Sequence, residues 1–324
     1  VFRALQLGDM LCAVPALRAL RAAMPGAEIT LIGLPWAAAF AGRFRAYVDA
    51  FAEFPGFPGL PEREPEVERF PAFLAAMQAR RFDWAIQLHG GGTLSNPLVA
   101  LLGARRLAGF VSPGAYCPDR ATFLPWPERG LEVRRLLQLA EFLGAPSRGE
   151  HLEFPIDADD ERALRGLPGA ADLEPGSYVC IHPGASVPER CWPVEHFADV
   201  ARRLQRLRLR VVLTGTAAEA ELTRTLARSL PAACLDLAGR TGLGALAALL
   251  RDARLLVCND TGVSHVAAAL GTPSVVISTG DNPDRWAPAD GRRHRVLCRE
   301  RGVSPHDVLL EAHRLLAPDP ALIA

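Results

Sequence analysis

The stretch 255–270 constrains the fold more tightly than any other part of the chain. Leu255, Leu256, Val257 and Cys258 form an unbroken apolar run that ends in Asn259-Asp260, the pattern of a buried strand meeting a polar turn. Ala267, Ala268 and Ala269 then favour a helix, with Val266 and Leu270 on one face. A helix that starts from such a turn presents N–H groups with no partner inside the helix, and its dipole points the same way. The turn is therefore read as an anion site. Asp260 is placed to accept hydrogen bonds from a ribose or sugar hydroxyl, and His265 lies one turn further in.

The same grammar runs through the rest of the chain. Residues 1–7 read as a strand, Gly8-Asp9 as its turn, and Leu11, Val14, Leu17 and Leu20 recur at helical spacing. Pro25-Gly26 stops that helix before a strand at 29–32. A strand–turn–helix–strand unit opens a parallel α/β sheet, whose ligands bind beyond the carboxyl ends of the strands. Asp9 sits at such an end. Further strands are expected at 47–54, 84–88 and 106–111, with helices at 35–44, 66–81, 95–102 and 131–143. A Pro- and Gly-rich loop fills 55–65, and 145–152 is the linker. The second half has strands at 178–182, 210–213, 235–237, 254–258 and 274–277. Its helices fall at 194–207, 217–230, 243–250 and 304–316, and a polar loop covers 281–288. Two domains result, 1–150 and 151–324. The last helix is a candidate to pack back onto the first domain.

The 324 residues carry 49% hydrophobic and 22% charged residues with a formal net charge of +0, the profile of a packed domain pair. That balance argues against a nucleic-acid partner, which needs a basic excess. Lysine is absent, so any phosphate clamp must use Arg, His or backbone amides. The 7 Cys are scattered, with no Cys-x-x-Cys pair and no His spacing that suggests a metal. Cys180 and Cys258 read as small core residues, and a reducing cytoplasm is expected. No apolar run approaches the ~20 residues of a membrane span, and no secretion signal is read. Because Val1 already lies in a strand-like run, an initiator Met and a few residues are expected ahead of it.

Each candidate residue has a plain reading beside the functional one. Asp9 either caps its helix or acts as a general base at a cleft. Arg190 is a solvated charge or a diphosphate clamp. Gly215 allows close backbone approach. Glu219 is either a first-turn helix acid or an acceptor for ribose hydroxyls. Trp192 is read as packing, and His89, His151, His196, His294, His306 and His313 as surface or packing residues. Arg43, Arg45, Arg105 and Arg106 are candidates to meet an anionic acceptor. No dinucleotide Gly pattern follows the first strand, and no phosphate-loop or nucleophile-elbow motif occurs.

Three blocks resemble glycosyltransferase family 9, the lipopolysaccharide heptosyltransferases. Leu7-Gly8-Asp9 with the run Pro15 to Leu20 resembles its opening. His182-Pro183-Gly184-Ala185-Ser186 with Arg190, Trp192-Pro193 and Phe197-Ala198 resembles its second block. Leu237 to Thr241, Asn259-Asp260-Thr261-Gly262, His265 and Ala267 to Pro273 resemble its third. The resemblance implies a GT-B fold, two Rossmann-like parallel-sheet domains facing across a cleft. It implies an ADP-linked heptose donor held by the C-terminal domain and an anionic glycolipid acceptor, the lipopolysaccharide inner core, on the N-terminal domain. Members are inverting and metal-independent, so no cofactor is expected, and the protein is placed in the cytoplasm or peripherally on the inner membrane. By resemblance Asp9 is the general base, and Arg190 takes a position where many members carry lysine. His182, Gly184, Ser186, Gly215, Glu219, Asp260, Thr261, Gly262 and His265 fall to the donor. The segment 278–283 departs from the family pattern, and 33–170 carries little of it. A nucleotide-sugar epimerase on the same fold and a non-catalytic sugar-nucleotide-binding protein are the alternatives.

Overall fold

The structure is a computed structural model that describes residues 1–185, 187–280, 282–298 and 302–317. The chain forms two compact units, Val1–His151 and Leu152–Ala324. The first holds α1 (Leu7–Cys12), α2 (Val14–Ala23), β1 (Thr30–Gly33), α3 (Ala37–Arg43), β2 (Ala50–Glu53), α4 (Phe70–Ala79), β3 (Trp84–Ile86), α5 (Ser95–Ala100), β4 (Arg106–Val111), β5 (Phe123–Pro125) and α6 (Glu132–Phe142). The second holds α7 (Ala158–Arg165), β6 (Tyr178–His182), α8 (Val194–Arg206), β7 (Arg210–Leu213), α9 (Ala220–Arg228), β8 (Leu235–Asp236), α10 (Leu243–Asp252), β9 (Leu255–Asn259), α11 (Gly262–Leu270), β10 (Ser274–Ile277), α12 (Pro283–Trp286), β11 (His294–Leu297) and α13 (Pro305–Leu316).

In the first unit the expected strand over 1–7 is shorter, because α1 already begins at Leu7. The extended segment 1–4 is the seam of the sheet. Phe2 bridges in parallel to Ile32 on one side and Gln87 on the other. Backbone bonds run from Arg3 N–H to the Ile32 carbonyl (3.0 Å) and from Leu88 N–H to the Phe2 carbonyl (3.0 Å). With β1–β2, β3–β4 and β4–β5 also parallel, the order is β2, β1, segment 1–4, β3, β4, β5. Phe2, Ala4, Ile32, Phe54, Ala85 and Leu98 share one core on this sheet.

The second unit is a six-stranded parallel sheet ordered β11-β10-β9-β6-β7-β8. Its central strands β6, β9 and β10 are buried on both faces, as parallel sheets covered by helices require. Val179, Val211, Val257, Val275, Trp192, Phe197 and Val308 belong to one core under α8 and α13. The last described helix, α13, packs within its own unit on α8, β9, β10 and β11. Cys180 and Cys258 are fully buried, as the apolar runs implied, and burial pushes both thiols up.

Elements that the pattern missed have physical reasons. Helix α7 has no buried residue, so it shows no apolar stripe. It is held by a capping box in which Asp157 accepts from the Asp159 and Asp160 N–H groups, both at 2.9 Å. Edge strand β11 begins His294-Arg295, too polar for the apolar-run criterion. In the expected loop at 281–288, Asn282 caps the short helix α12 by accepting from Asp284 N–H at 3.0 Å.

His294 is buried at the amino end of β11, with Nδ1 2.8 Å from the Ser274 hydroxyl. Burial pushes its pKa down to about 4, against the opposing attraction of Asp290. Between its ordinary value near 6.5 and about 4, the unfolded chain binds a proton that the folded chain refuses. Its contribution is therefore complete above pH ~6.5 and fades as pH falls toward 4. The full loss is about 3 kcal/mol at 1.36 kcal/mol per unit. Urea denaturation from pH 7 to 4 should show a shallower loss of stability in His294→Gln than in the parent chain.

Candidate active site

In each unit the strand order reverses at one place, and such a switch opens a crevice at the carboxyl ends of the two strands beside it. In the second unit the switch lies between β6 and β9, since β7 follows on one side of β6 and β9 pairs on the other. The turns after these strands carry His182-Pro183-Gly184 and Asn259-Asp260-Thr261-Gly262. In the first unit the switch lies between segment 1–4 and β3, and α1 with Asp9 follows that segment.

The turn after β6 is built around glutamate. Glu219 Oε2 accepts from the Thr216 N–H at 2.6 Å and its hydroxyl at 2.9 Å, closing a capping box. The plain reading of Glu219 as a helix-start acid is thus what the backbone uses, in a 3₁₀ turn at 217–219 ahead of α9. The same carboxylate lies against Gly184, where a Cβ would overlap it, and near Gly215, where a Cβ would come within 3.2 Å of Oε2. Glycine at 184 is a packing requirement. His182 is buried, with Nδ1 3.1 Å from the Thr214 hydroxyl and Nε2 3.8 Å from Glu219 Oε2. Burial lowers its pKa, with the Glu219 charge opposing, so the ring is neutral near pH 7. His182, Gly184, Gly215 and Glu219 therefore form one cluster. Ser186 lies outside the described residues.

The turn after β9 is held by a residue that the sequence reading noted but did not assign. Asn259 is fully buried. Its Oδ1 accepts from the Trp192 N–H at 2.9 Å, and its Nδ2 donates to the carbonyls of Pro183 (2.7 Å) and Gly184 (3.2 Å). One side chain thus ties together β9, the turn after β6 and the start of α8. Its amide in the middle of an otherwise apolar strand end was the available signal. Trp192 is buried, donates Nε1–H to the Val303 carbonyl at 2.8 Å and packs edge-on to Phe197, so it is a packing residue as expected.

Thr261 is the N-cap of α11 but makes no side-chain cap bond, and its hydroxyl has no hydrogen-bond partner among the described residues. The Ser264 N–H donates to the Thr261 carbonyl at 3.0 Å, while the Gly262 and Val263 amides gain no bond from the Thr261 side chain. Asp260 donates its N–H to the Ile277 carbonyl at 2.9 Å, and His265 is buried in the helix. Arg190 is exposed at the end of a 3₁₀ turn, where its carbonyl accepts from the Thr279 hydroxyl at 2.7 Å.

In the first unit Asp9 stands in the first turn of α1, with its side chain 22% exposed. Arg43, Arg45, Arg105 and Arg106 are not grouped with it. Arg43 ends a helix leading to the start of β2, and Arg106 begins β4, so these residues lie toward the amino ends of the strands. Arg105 pairs with Asp83 at 3.1 Å, and Arg106 lies over Trp84 at 4.3 Å. Among the described residues no group of three or more His, Cys, Asp or Glu is placed to hold a metal ion, and no helix is long and apolar enough to cross a membrane.

Comparison with known proteins bears on this arrangement. The family model of glycosyltransferase family 9 (heptosyltransferase) matches residues 71–310. A lipopolysaccharide heptosyltransferase 2 of Salmonella typhimurium is 31% identical over 224 residues, covering 60% of this chain and 63% of the relative. The match thus spans less than two thirds of that relative's length. A glycosyltransferase family 9 structure from Veillonella parvula superposes with a TM-score of 0.81 at 21% identity, covering 97% of this chain and 95% of the other. An E. coli heptosyltransferase solved with ADP gives 0.74 at 22% identity, covering 97% and 98%. The structural likenesses show the GT-B fold.

Proposed function

The chain belongs to glycosyltransferase family 9, and from that premise we propose that it transfers a heptose or related sugar from an ADP-linked donor to a glycan acceptor with inversion. The acceptor class is the lipopolysaccharide inner core, an anionic glycolipid presented at the inner membrane surface. The observation that carries the reading is the second unit's switch point, where the open start of α11, the neutral His182 and the Glu219 carboxylate surround the carboxyl ends of β6, β7 and β9. The helix start offers N–H donors to a diphosphate, and Glu219, one strand over, offers an acceptor to ribose hydroxyls. A carboxylate among the phosphates would repel them. The separation of β7 from β9 by β6 keeps the two chemistries apart.

In the proposed reaction Asp9 removes the proton of the acceptor hydroxyl, whose oxygen attacks the anomeric carbon opposite the diphosphate. Negative charge then grows on the departing ADP. Arg190 and the amides of Gly262 and Val263 stabilise that charge, with Asp260 and Thr261 orienting the sugar-phosphate side and His265 backing the turn. Neutral His182 donates or accepts one hydrogen bond without adding charge.

Donor class is tested by thermal shift. ADP at about 100 times its Kd should stabilise the protein by about 2.7 kcal/mol, several degrees for units of this size, whereas UDP and GDP at equal concentration should not. Equal shifts with all three would remove the adenine assignment. Incubation with ADP-heptose and inner-core acceptor should label the acceptor. Donor isomerisation without acceptor would instead make the protein an epimerase, and binding with neither outcome would make it a non-catalytic receptor.

A further inference from the structure

Beneath Asp9 lies a row of alternating charges that the sugar-transfer scheme does not use. Arg3 is fully buried in the central segment of the first sheet. Its Nε donates to the Asp9 carbonyl at 2.9 Å, and its Nη1 donates to the Leu88 carbonyl. Its Nη2 lies 3.9 Å from Asp9 Oδ1 and 3.3 Å from Glu132 Oε1. Glu132, the first residue of α6, is also buried, and its other oxygen lies 3.9 Å from Arg135 Nη1. Arg135 is anchored in turn by donating to the Glu128 carbonyl at 2.7 Å. Of these four side chains only Asp9 is appreciably exposed, at 22% against 1%, 1% and 4% for Arg3, Glu132 and Arg135.

We propose that Arg3, Glu132 and Arg135 are positioning residues that set the base strength of Asp9 and hold its turn. The inference rests on the assignment of Asp9 as the general base. Stability alone does not account for the row, since buried ion pairs are often no better than apolar side chains of the same volume. Their ordering does have a chemical consequence. A carboxylate facing one buried guanidinium is a poor base, because protonating it strands the cation. Glu132 lies closer to the Arg3 guanidinium than the Asp9 carboxylate does. When Asp9 takes a proton, Arg3 keeps Glu132 as its counter-charge, and Arg135 keeps Glu132 from becoming an excess negative charge. Asp9 thus remains an ionised acid that is still able to accept a proton.

The other charged groups on the elements around α1 are either paired elsewhere or exposed. On α2, Arg18 donates to the Gly149 and His151 carbonyls at 2.8 and 3.0 Å, and Arg21 pairs with Asp49. On α6, Arg134 pairs with Glu150 at 2.9 Å, while Glu141 is exposed near the far end of the helix. At the end of β3, His89 accepts the Ala4 N–H at Nδ1 (3.3 Å) and places Nε2 3.5 Å from Glu62.

The test is the pH profile of kcat at saturating donor and acceptor. Removing the Glu132 charge in Glu132→Gln should move the acid limb to lower pH by about one unit and lower the plateau several-fold, with donor KM unchanged. Removing the Arg3 charge in Arg3→Met should move the same limb to higher pH. Arg3→Lys, which keeps the charge but loses the fork, should leave the limb in place and reduce kcat. Opposite shifts support the inference. An unmoved limb in Glu132→Gln, or shifts of the same sign accompanied only by lower melting temperatures, would reduce the row to a structural staple. If Arg3→Met does not fold, the isosteric Glu132→Gln variant decides alone. Turnover surviving in Asp9→Asn would overturn the base assignment itself. A dead Asp9→Asn beside an unmoved Glu132→Gln limb would overturn only this inference.

Discussion

Asp9→Asn is expected to lose transfer by roughly 10²–10⁴-fold, the usual contribution of a positioned general base, while its ADP-induced thermal shift stays unchanged. The substitution is nearly isosteric and removes only the ability to take a proton. The bond from the Arg3 side chain (Nε) to the Asp9 backbone carbonyl does not depend on the Asp9 side chain, so the turn stays in place. Donor binding is assigned to the second unit, so it should not feel the change. Single-turnover measurement with labelled donor checks the first part and calorimetric titration with ADP the second. Near-normal turnover would remove Asp9 from the chemistry, and loss of ADP binding would show that the two units do not divide the substrates as proposed.

Asn259→Leu is expected to cost about 3 kcal/mol of stability and to abolish measurable donor binding. The substitution leaves the Trp192 N–H without its acceptor and the Pro183 and Gly184 carbonyls without their donor, all in a buried setting. Each orphaned group costs about 1–3 kcal/mol. The stability loss alone does not explain a binding loss. That follows because Gly184 is packed against the Glu219 carboxylate, so a shift of the 183–184 turn displaces the acid as well. Asn259→Asp separates the two effects. It keeps the acceptor for Trp192 but turns a carboxylate oxygen toward two carbonyls, so it should bind ADP worse than its stability predicts. Denaturant melts with and without ADP measure both quantities. Parent-like affinity in a destabilised Asn259→Leu variant would confine Asn259 to packing.

The second half of the chain was readable because its central strands carry buried apolar runs, Val179 to Ile181, Val211 to Leu213, Leu255 to Cys258 and Val275 to Ile277. Strands β6, β7 and β10 match the expected spans, and β9 differs by one residue at either end. The turns that follow them carry polar residues that the pattern sets apart. Gly184 and Glu219 were both singled out, but their mutual contact was not legible, because it joins turns of two strands at a separation that no local pattern encodes. Asn259 was seen only as the end of a run. Its three bonds reach 67 to 76 residues back in the chain. Arg3 lies inside the expected strand over 1–7, where nothing local marks it as buried. Its burial depends on Glu132, which lies 129 residues away. Local chemistry thus marked the turns, and long-range polar partners decided what each turn does.

The central place of residues 1–4 also sets an order of events during synthesis. This segment precedes both of its neighbours in the chain, yet it must lie between them, paired to Ile32 and to Gln87. Until residue 88 has left the ribosome, one of its edges has no partner, and until Glu132 follows, the Arg3 guanidinium has no buried counter-charge. Closing contacts over such separations is slow compared with helix formation. The nascent first unit therefore passes through a period with an open apolar strand edge, the kind of surface on which chains associate wrongly. Expression yield in this protein should then respond to chaperone supply and to translation speed before residue 132 more than to changes made after it.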